Sequence, residues 1–284
     1  MRRLPRPTIT ARSALDRCIF SIKDADLTDR LKLCAPTLSA AEAAYIIQGE
    51  IAALHTIAGT QGVGGHVTTA EMERVYKRTF VGSAATREMY GSIKSAPEND
   101  ICPLCSQRTV SQLDHYLPQS AHPAHPALTV TAINLIPCCS ECNKTKLARQ
   151  AGQAGDQTFH PYFEDADDAR WLYAEVRETT PASLVFRPRP PAEWEVLKAT
   201  RVVAHFRTYK LAELYASHAA VELNDIRFGL QRMAKRNSPN SIRAHLLGEA
   251  ESRAAANTNS WRTATYEALA KSVWFCSGGF DVQP

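Results

Sequence analysis

Long apolar segments are absent from this sequence. It has no run of about 18 apolar residues, the length that a membrane-spanning helix requires, and its first residues hold no apolar stretch typical of a secretory signal. We therefore expect a cytoplasmic protein with no membrane partner.

A strong excess of charge of one sign is also absent. The chain has 33 lysines and arginines against 29 aspartates and glutamates, a formal net charge of +4. This weak basic excess fits a polyanionic partner without identifying one. The hydrophobic fraction of 44% and the charged fraction of 22% are typical of a globular protein. A length of 284 residues allows one large domain or two ordinary ones.

Internal repeats and a phosphate-binding loop are missing as well. The glycine-rich residues 59–65 are not followed by Gly-Lys-Ser or Gly-Lys-Thr, which excludes a P-loop and predicts a turn. With no repeat in the sequence, the informative features are single clusters of unusual residues.

Cysteines form the most informative cluster. Cys102 and Cys105 make one C-x-x-C pair, and Cys139 and Cys142 make a second. Two such pairs can surround a zinc ion with four thiolates, which is the pattern of a structural zinc site. Cys138 leaves an alternative open, because it could pair with Cys142 in place of Cys139. In a reducing compartment, clustered cysteines indicate metal rather than disulfides.

The segment between the two pairs carries residues suited to phosphodiester cleavage. A structural zinc ribbon has about 15–20 residues between its pairs, whereas 33 residues, 106–138, intervene here. Asp114 and His115 lie within them. A neutral histidine can deprotonate a water molecule, and a carboxylate can bind the divalent cation that stabilises the phosphate and the leaving oxygen. The sequence therefore predicts His115 as general base and Asp114 as metal ligand.

Four further residues complete the predicted site. Asn143 follows the last cysteine, where we expect a helix to begin, and its amide oxygen with Asp114 would offer two hard ligands to Mg²⁺ or Mn²⁺. Asn134 is expected to orient the loop that holds His115, by bonding either its backbone or its far ring nitrogen. Lys144 and Lys146 are expected to contact phosphate in a nucleic acid.

These motifs resemble a known family. Cys-Pro-Leu-Cys, Leu-Asp-His-Tyr-Leu-Pro and Asn-Leu-Ile-Pro-Cys-Cys-Ser-Glu-Cys-Asn-Lys-Thr-Lys are similar to the motifs of HNH endonucleases with a ββα-metal fold. The resemblance covers residues 102–150 and extends more weakly to His160-Pro-Tyr-Phe. It implies that His115 is the general base, Asp114 a catalytic-metal ligand and Asn134 the middle asparagine. Asn143 takes the third position, often a histidine in the family, and His160 is a further candidate active-site residue.

A longer stretch resembles the HNH partners of bacterial anti-phage modules, the Septu-like and retron-associated kind. The cues are Arg87-Glu-Met-Tyr, residues 113–118 and His160-Pro-Tyr-Phe. This resemblance implies a role in anti-phage defence beside an ABC-type ATPase partner. We expect an endonuclease that hydrolyses phosphodiester bonds in DNA. Two alternatives remain: a catalytically silent zinc-bound nucleic-acid-binding or scaffold subunit, and a nuclease that cleaves RNA.

The expected fold is mainly α with a small α+β core. We predict a helical N-terminal region over 1–95, a zinc-bound HNH core over 96–165, a hairpin and proline-rich connector over 166–192 and a helical C-terminal region over 193–284. Short apolar runs at 128–136 suggest short strands and structured loops in the core, held by metal rather than by a large hydrophobic core. The predicted local signals are capping boxes at Ser39/Glu42 and Thr68/Glu71, a helix from near Asn143 to before Gly152, a hairpin of 171–176 with 183–186, and helix starts at Ser238-Pro239 and Ser260.

Overall fold

The chain divides into two compact units, Met1–Asp165 and Ala166–Pro284. The computed structural model describes residues 2–236 and 238–281. Helices dominate these residues, and the strands among them form small two-stranded antiparallel sheets. This composition confirms the expected class of a mainly α protein with a small α+β part. Within the described ranges, no helix combines the length and the apolar character needed to cross a membrane.

Helices build most of the first unit. Its first elements are α1 Ala11–Phe20, α2 Ala25–Glu50, the short β1 Gly62–Val63 and β2 Val67–Thr68, α3 Thr69–Val75 and α4 Arg87–Lys94. The predicted capping box of α3 is confirmed, because the Thr68 side chain accepts from the Glu71 amide and the Glu71 carboxylate accepts from the Thr68 amide. After Val75 the chain continues as a π-helical turn, Tyr76–Phe80.

The second predicted capping box, Ser39 with Glu42, is wrong. α2 begins much earlier, at an N-cap formed by Asp24, and runs without interruption through both residues. Glu42 instead accepts hydrogen bonds from the backbone amide of Ala11, at 3.0 and 3.1 Å, and so closes the first turn of α1. A capping motif favours a helix start, but it does not interrupt a longer helix that packing against the core stabilises on both sides of the motif.

Two strands and a helix follow in the segment of the cysteine pairs. β3 Gln112–His115 pairs antiparallel with β4 Leu135–Cys138, so that His115 lies opposite Leu135. α5 Ser140–Lys146 comes directly after β4. Leu113 and Leu135 enter the hydrophobic core that α1, α2 and α3 build. The small sheet is thereby attached to the helical part of the same unit.

The connection between β3 and β4 contains turns rather than a further strand. Pro126–Leu128 and Ala132–Asn134 form 3₁₀ turns. Of the short strands and structured loops expected here, Leu128-Thr129-Val130 belongs to the turns and Leu135–Cys138 is a strand. The apolar side chains in this connection are buried in succession. In a sequence, a short continuous apolar run of this kind looks the same whether it forms a turn or a buried strand.

The described residues of the second unit form a hairpin, four α-helices and a π-helical turn, Phe275–Gly279. The hairpin is β5 Leu172–Arg177 with β6 Ser183–Pro188, and the helices are α6 Val196–Thr208, α7 Leu211–Ala234, α8 Pro239–Ala256 and α9 Trp261–Lys271. The predicted hairpin is confirmed. So are both predicted helix starts, with Ser238 before Pro239 and the Ser260 side chain accepting from the Thr263 amide.

Candidate metal centre and catalytic site

Four buried cysteines form a candidate metal centre. Their sulfur atoms all lie within 4.8 Å of one another, and they are Cys102, Cys105, Cys139 and Cys142. In a tetrahedral zinc–thiolate site with Zn–S of about 2.3 Å, the sulfurs are about 3.8 Å apart. The four thiols therefore fit a metal ion such as zinc with small side-chain movements. The set contains Cys139 and not Cys138, which favours Cys139 among the two alternatives that the sequence left open.

The first cysteine pair lies on a tight turn. The amide of Ser106 donates to the Cys102 carbonyl at 2.8 Å, and the amide of Arg108 donates to the Cys105 sulfur at 3.4 Å. Ser106 adopts a left-handed backbone conformation with φ 53°. Backbone amides directed at sulfur stabilise a thiolate, the form that binds zinc. Hydrogen bonds from the neighbouring thiols, first of all Cys102, also lower the pKa of Cys105.

The second pair starts α5. Cys139 is the N-cap, and its sulfur accepts from the Cys142 amide at 3.4 Å. The predicted helix start near Asn143 is therefore wrong, because a cysteine takes the place of an ordinary capping oxygen. The helix also ends earlier than expected, at Lys146, because the next residue, Leu147, has a positive φ of 58°. A hydrogen bond from the Cys102 thiol is the main cause that lowers the pKa of Cys139 to about 6.

Cys138 has a different environment from its neighbour. It closes β4 opposite Gln112 and is fully buried. Burial is the main cause that raises the pKa of its thiol well above the ordinary value. A protonated thiol of this kind packs as a small apolar side chain.

Asp114 forms an ion pair with the last residue of α5. Lys146 Nζ lies 3.2 Å from Asp114 Oδ2 and donates to the carbonyl oxygen of His115 at 2.8 Å. Burial raises the pKa of the Asp114 carboxyl, and the ammonium group opposes that shift. The sequence predicted that Lys146 lies at a helix start and contacts phosphate. Lys146 is instead 8% exposed and connects α5 to β3.

His115 is held on the other side of the same strand. Adjacent residues of a strand point to opposite faces, and β3 ends at His115. The ring packs edge-on against Tyr76, with centroids 4.5 Å apart, and its Nε2 lies 2.8 Å from the Thr129 carbonyl oxygen. Burial is the main cause that lowers the pKa of His115 to about 4. The ring is therefore neutral at physiological pH.

Asn134 holds the backbone that follows His115. It is fully buried, its Oδ1 accepts from the Leu117 amide at 2.8 Å, and its Nδ2 donates to the carbonyls of Leu117 and Leu128. The Asn134 carbonyl also accepts from the Tyr116 amide. Of the two ways we expected Asn134 to act, the structure shows bonding to backbone and not to the histidine ring.

Asn143 and Lys144 lie on α5. Asn143 is half-buried and Lys144 is exposed. Because helix residues three apart are neighbours, Asn143 lies on the same side of α5 as Lys146. In the described part of the chain, the cysteine cluster is the one group of three or more His, Cys, Asp or Glu close enough to hold a metal. A second ion at Asp114 and Asn143 would need water or phosphate as additional ligands.

His160 is buried within a cluster of aromatic rings. Its Nε2 lies 2.9 Å from the Tyr45 hydroxyl, and its Nδ1 accepts from the Tyr162 amide at 3.2 Å. The ring centroid is 4.5 Å from that of Tyr116. Both ring nitrogens are thus engaged inside the protein, an arrangement suited to positioning the segment after β3. A direct catalytic role for His160 stays a prediction.

Three residues that contact His115 or His160 carry no signal in the sequence. Thr129 and Tyr76 contact His115, and Tyr45 contacts His160. Tyr76 and Tyr45 lie on helical segments whose apolar spacing indicates only core packing. No local signal distinguishes these tyrosines from ordinary core residues.

Comparison with known proteins gives one distant relative to report. The chain is 25% identical over 235 residues to Protein ea31 of Escherichia phage lambda, covering 80% of this chain and 79% of that protein. The name of that relative states no activity. No protein-family model matches the chain, and no solved structure matches it.

Proposed function

We propose that this chain is a metal-dependent endonuclease of the HNH type, which hydrolyses phosphodiester bonds in DNA. The observation that carries the proposal is that Asp114 and His115 are adjacent at the end of β3, where Lys146 of α5 contacts the Asp114 carboxylate and the His115 carbonyl. The same helix starts at the second cysteine pair of the candidate metal centre. The neutral His115 ring supplies a base, and Asp114 with Asn143 supplies oxygen ligands for a hard divalent ion.

The tautomer of His115 suits proton abstraction. The Thr129 carbonyl can only accept, so Nε2 carries the ring proton and Nδ1 carries the lone pair. Nδ1 would take a proton from the attacking water. Asn134 fixes the backbone of Leu117 and keeps the end of β3 in place. The cysteine centre would hold the start of α5 and, through that helix, the position of Asn143.

A magnesium or manganese ion at Asp114 and Asn143 would supply charge stabilisation for the phosphate and the leaving oxygen. Two protein oxygens leave most of its coordination positions to water and substrate, which suits Mg²⁺. The exposed Lys144 is available for a phosphate contact. Its contribution would be independent of base sequence, in keeping with the lack of a recognisable base-reading module.

The proposed biological role extends the resemblance to anti-phage HNH proteins. In that role the chain would act in the bacterial cytoplasm beside an ABC-type ATPase, which would control when DNA is cut. Control by a partner would suit this site, because Lys146 already pairs with Asp114, the carboxylate that the catalytic ion would need. That ion pair also favours a second candidate function, a zinc-bound nucleic-acid-binding subunit without catalysis, because a protein that holds no second ion would keep such a pair.

Plasmid cleavage by zinc-loaded protein tests the proposal. Wild type, His115→Ala and His122→Ala are each incubated with EDTA, Mg²⁺ or Mn²⁺. His122 lies exposed in the same connection and serves as the matched control. We expect nicked or linear plasmid from wild type and His122→Ala, dependent on added metal, and none from His115→Ala. Equal cleavage by His115→Ala would contradict the general-base assignment. Uncut DNA and uncut RNA, together with retained binding to either, would favour the non-catalytic candidate.

A further inference from the structure

An ammonium group lies inside the candidate catalytic site. Lys146 Nζ is 3.2 Å from Asp114 Oδ2 and 2.8 Å from the carbonyl oxygen of His115. The side chains of Lys146 and Asp114 are 7% and 13% exposed. A monovalent cation that belongs to the protein thus occupies a carboxylate oxygen that a divalent ion would use.

We propose that Lys146 is a resident cation of this site, which neutralises Asp114 in the metal-free protein and is displaced from the carboxylate when a divalent ion binds. The inference rests on the proposed function, because it takes Asp114 as a ligand of the catalytic ion. The affinity for that ion is then set by competition with the lysine.

The charges at the site explain why the two cations exclude each other. A buried carboxylate without a partner is unfavourable, so Asp114 needs a positive charge in the absence of metal. Lys146 provides it and also hydrogen-bonds the strand end at His115. A divalent ion on the same oxygen would lie within a few ångströms of the ammonium group in a poorly solvated site, where like charges repel strongly. One cation must leave when the other binds.

The position of Lys146 in α5 gives the displaced side chain somewhere to go. It is the last residue of the helix, and the chain turns away at Leu147. Its charge sits on a flexible four-carbon stem. After displacement from Asp114, the ammonium group stays beside the site, within reach of a phosphate group bound there. Lys146 therefore has two partners in succession, the carboxylate at rest and a substrate phosphate in the complex.

Manganese binding measures the competition directly. Zinc-loaded wild type, Lys146→Gln and Lys144→Gln are titrated with Mn²⁺, and free Mn²⁺ is followed by electron paramagnetic resonance. Glutamine keeps amide donors for Asp114 and the His115 carbonyl but removes the charge. Lys144 is the matched control, because it is exposed on the same helix and loses the same charge. We expect Kd for Mn²⁺ to fall about tenfold in Lys146→Gln and by less than about threefold in Lys144→Gln.

The opposite results would overturn the proposal. These are a Kd in Lys146→Gln no lower than that of Lys144→Gln, or an absence of Mn²⁺ binding in all three proteins. Far-UV circular dichroism verifies that each variant is folded.

A second measurement uses the wild-type protein and so does not depend on the folding of a variant. An amine-reactive acylating reagent is applied with and without Mn²⁺, and modified peptides are quantified by mass spectrometry. Lys146 is expected to be protected in the metal-free protein and to react several-fold faster with Mn²⁺, while Lys144 reacts equally in both. Unchanged labelling of Lys146 in the presence of bound Mn²⁺ would overturn the displacement.

These readouts separate the inference from the proposed nuclease activity. Metal-dependent cleavage with no effect of Lys146→Gln on Mn²⁺ affinity would leave the nuclease proposal standing and remove the role of the lysine. Tighter Mn²⁺ binding and metal-dependent labelling without any cleavage would support the competition and argue against nuclease function.

Discussion

The Nε2 atom of His115 lies 2.8 Å from the carbonyl oxygen of Thr129. A carbonyl oxygen cannot donate, so this contact places the ring proton on Nε2 and leaves Nδ1 as the basic nitrogen. The contact spans 14 residues of sequence and depends on the turn between β3 and β4. A base held in this way has both its tautomer and its orientation set before any substrate arrives.

The pH dependence of cleavage should reveal the environment of this ring. Burial lowers the pKa of His115 from 6.5 to about 4, so the neutral, active form persists to lower pH than for an exposed histidine. We expect the rate to stay high as pH falls through 6.5 and to be lost only toward about 4. Initial rates of plasmid nicking across that interval test this, with zinc content measured at each pH. A fall centred near 6.5 would show that the functional base is not buried as described.

Adjacent cysteines offer a matched test of the metal centre. Cys139→Ala removes one of the four clustered sulfurs and should lose zinc and lower Tm, since a three-thiolate site binds the ion less tightly. Cys138→Ala removes a buried thiol outside the cluster and should retain one zinc per chain. Metal content by atomic absorption and Tm by calorimetry distinguish the two. Loss of zinc in Cys138→Ala, with zinc retained in Cys139→Ala, would mean that Cys138 and not Cys139 is the ligand.

Two asparagines should differ in what they contribute. Asn134→Ala leaves the buried amide and carbonyl of Leu117 without partners and should lower the free energy of unfolding by about 2–3 kcal/mol. Asn143→Ala alters a half-buried helix position and should change that free energy by no more than about 0.5 kcal/mol, while weakening Mn²⁺ binding. Denaturant unfolding and Mn²⁺ titration of both variants test this. Equal stability losses would argue against a positioning role specific to Asn134.

Glu71 should give a pH-dependent stability that is unrelated to the metal sites. Hydrogen bonds from Arg30 are the main cause that lowers its pKa from 4.5 to about 2. A depressed carboxyl pKa contributes stability above 4.5, and that contribution is lost as pH falls toward about 2. Glu71→Gln should lower Tm by about 2–4 °C at neutral pH.

The Tm difference between wild type and Glu71→Gln should shrink as the solution is acidified through that interval. Glu73→Gln is the matched control, because Glu73 forms only a helix-surface pair with Lys77 and should have a smaller effect. Thermal melts from neutral to acidic pH provide the comparison. A Tm difference that is the same at every pH would contradict the ionic origin of the contribution.

Local signals in the sequence predicted local structure well. The Thr68/Glu71 box, the starts at Ser238-Pro239 and Ser260, and the hairpin of β5 and β6 depend on residues a few positions apart, and all are present. The Ser39/Glu42 box depends on equally local residues but is absent, because long-range packing extends α2 across it and gives Glu42 to the first turn of α1. A local pattern shows what a segment favours and not whether packing overrides it.

The cysteine spacing and the neighbouring Asp114 and His115 were enough to predict a four-thiolate centre and the residues of a candidate active site. The spacing is informative because a C-x-x-C turn brings two sulfur atoms together through its local backbone geometry alone. The contacts of Asp114 and His115 could be identified only in the folded chain. Lys146 contacts Asp114 across 32 residues and the carbonyl of His115 across 31, and Tyr76 contacts His115 from a helix outside the cysteine segment. Such contacts arise from the packing of whole elements, and that packing is a property of the complete chain rather than of any motif within it.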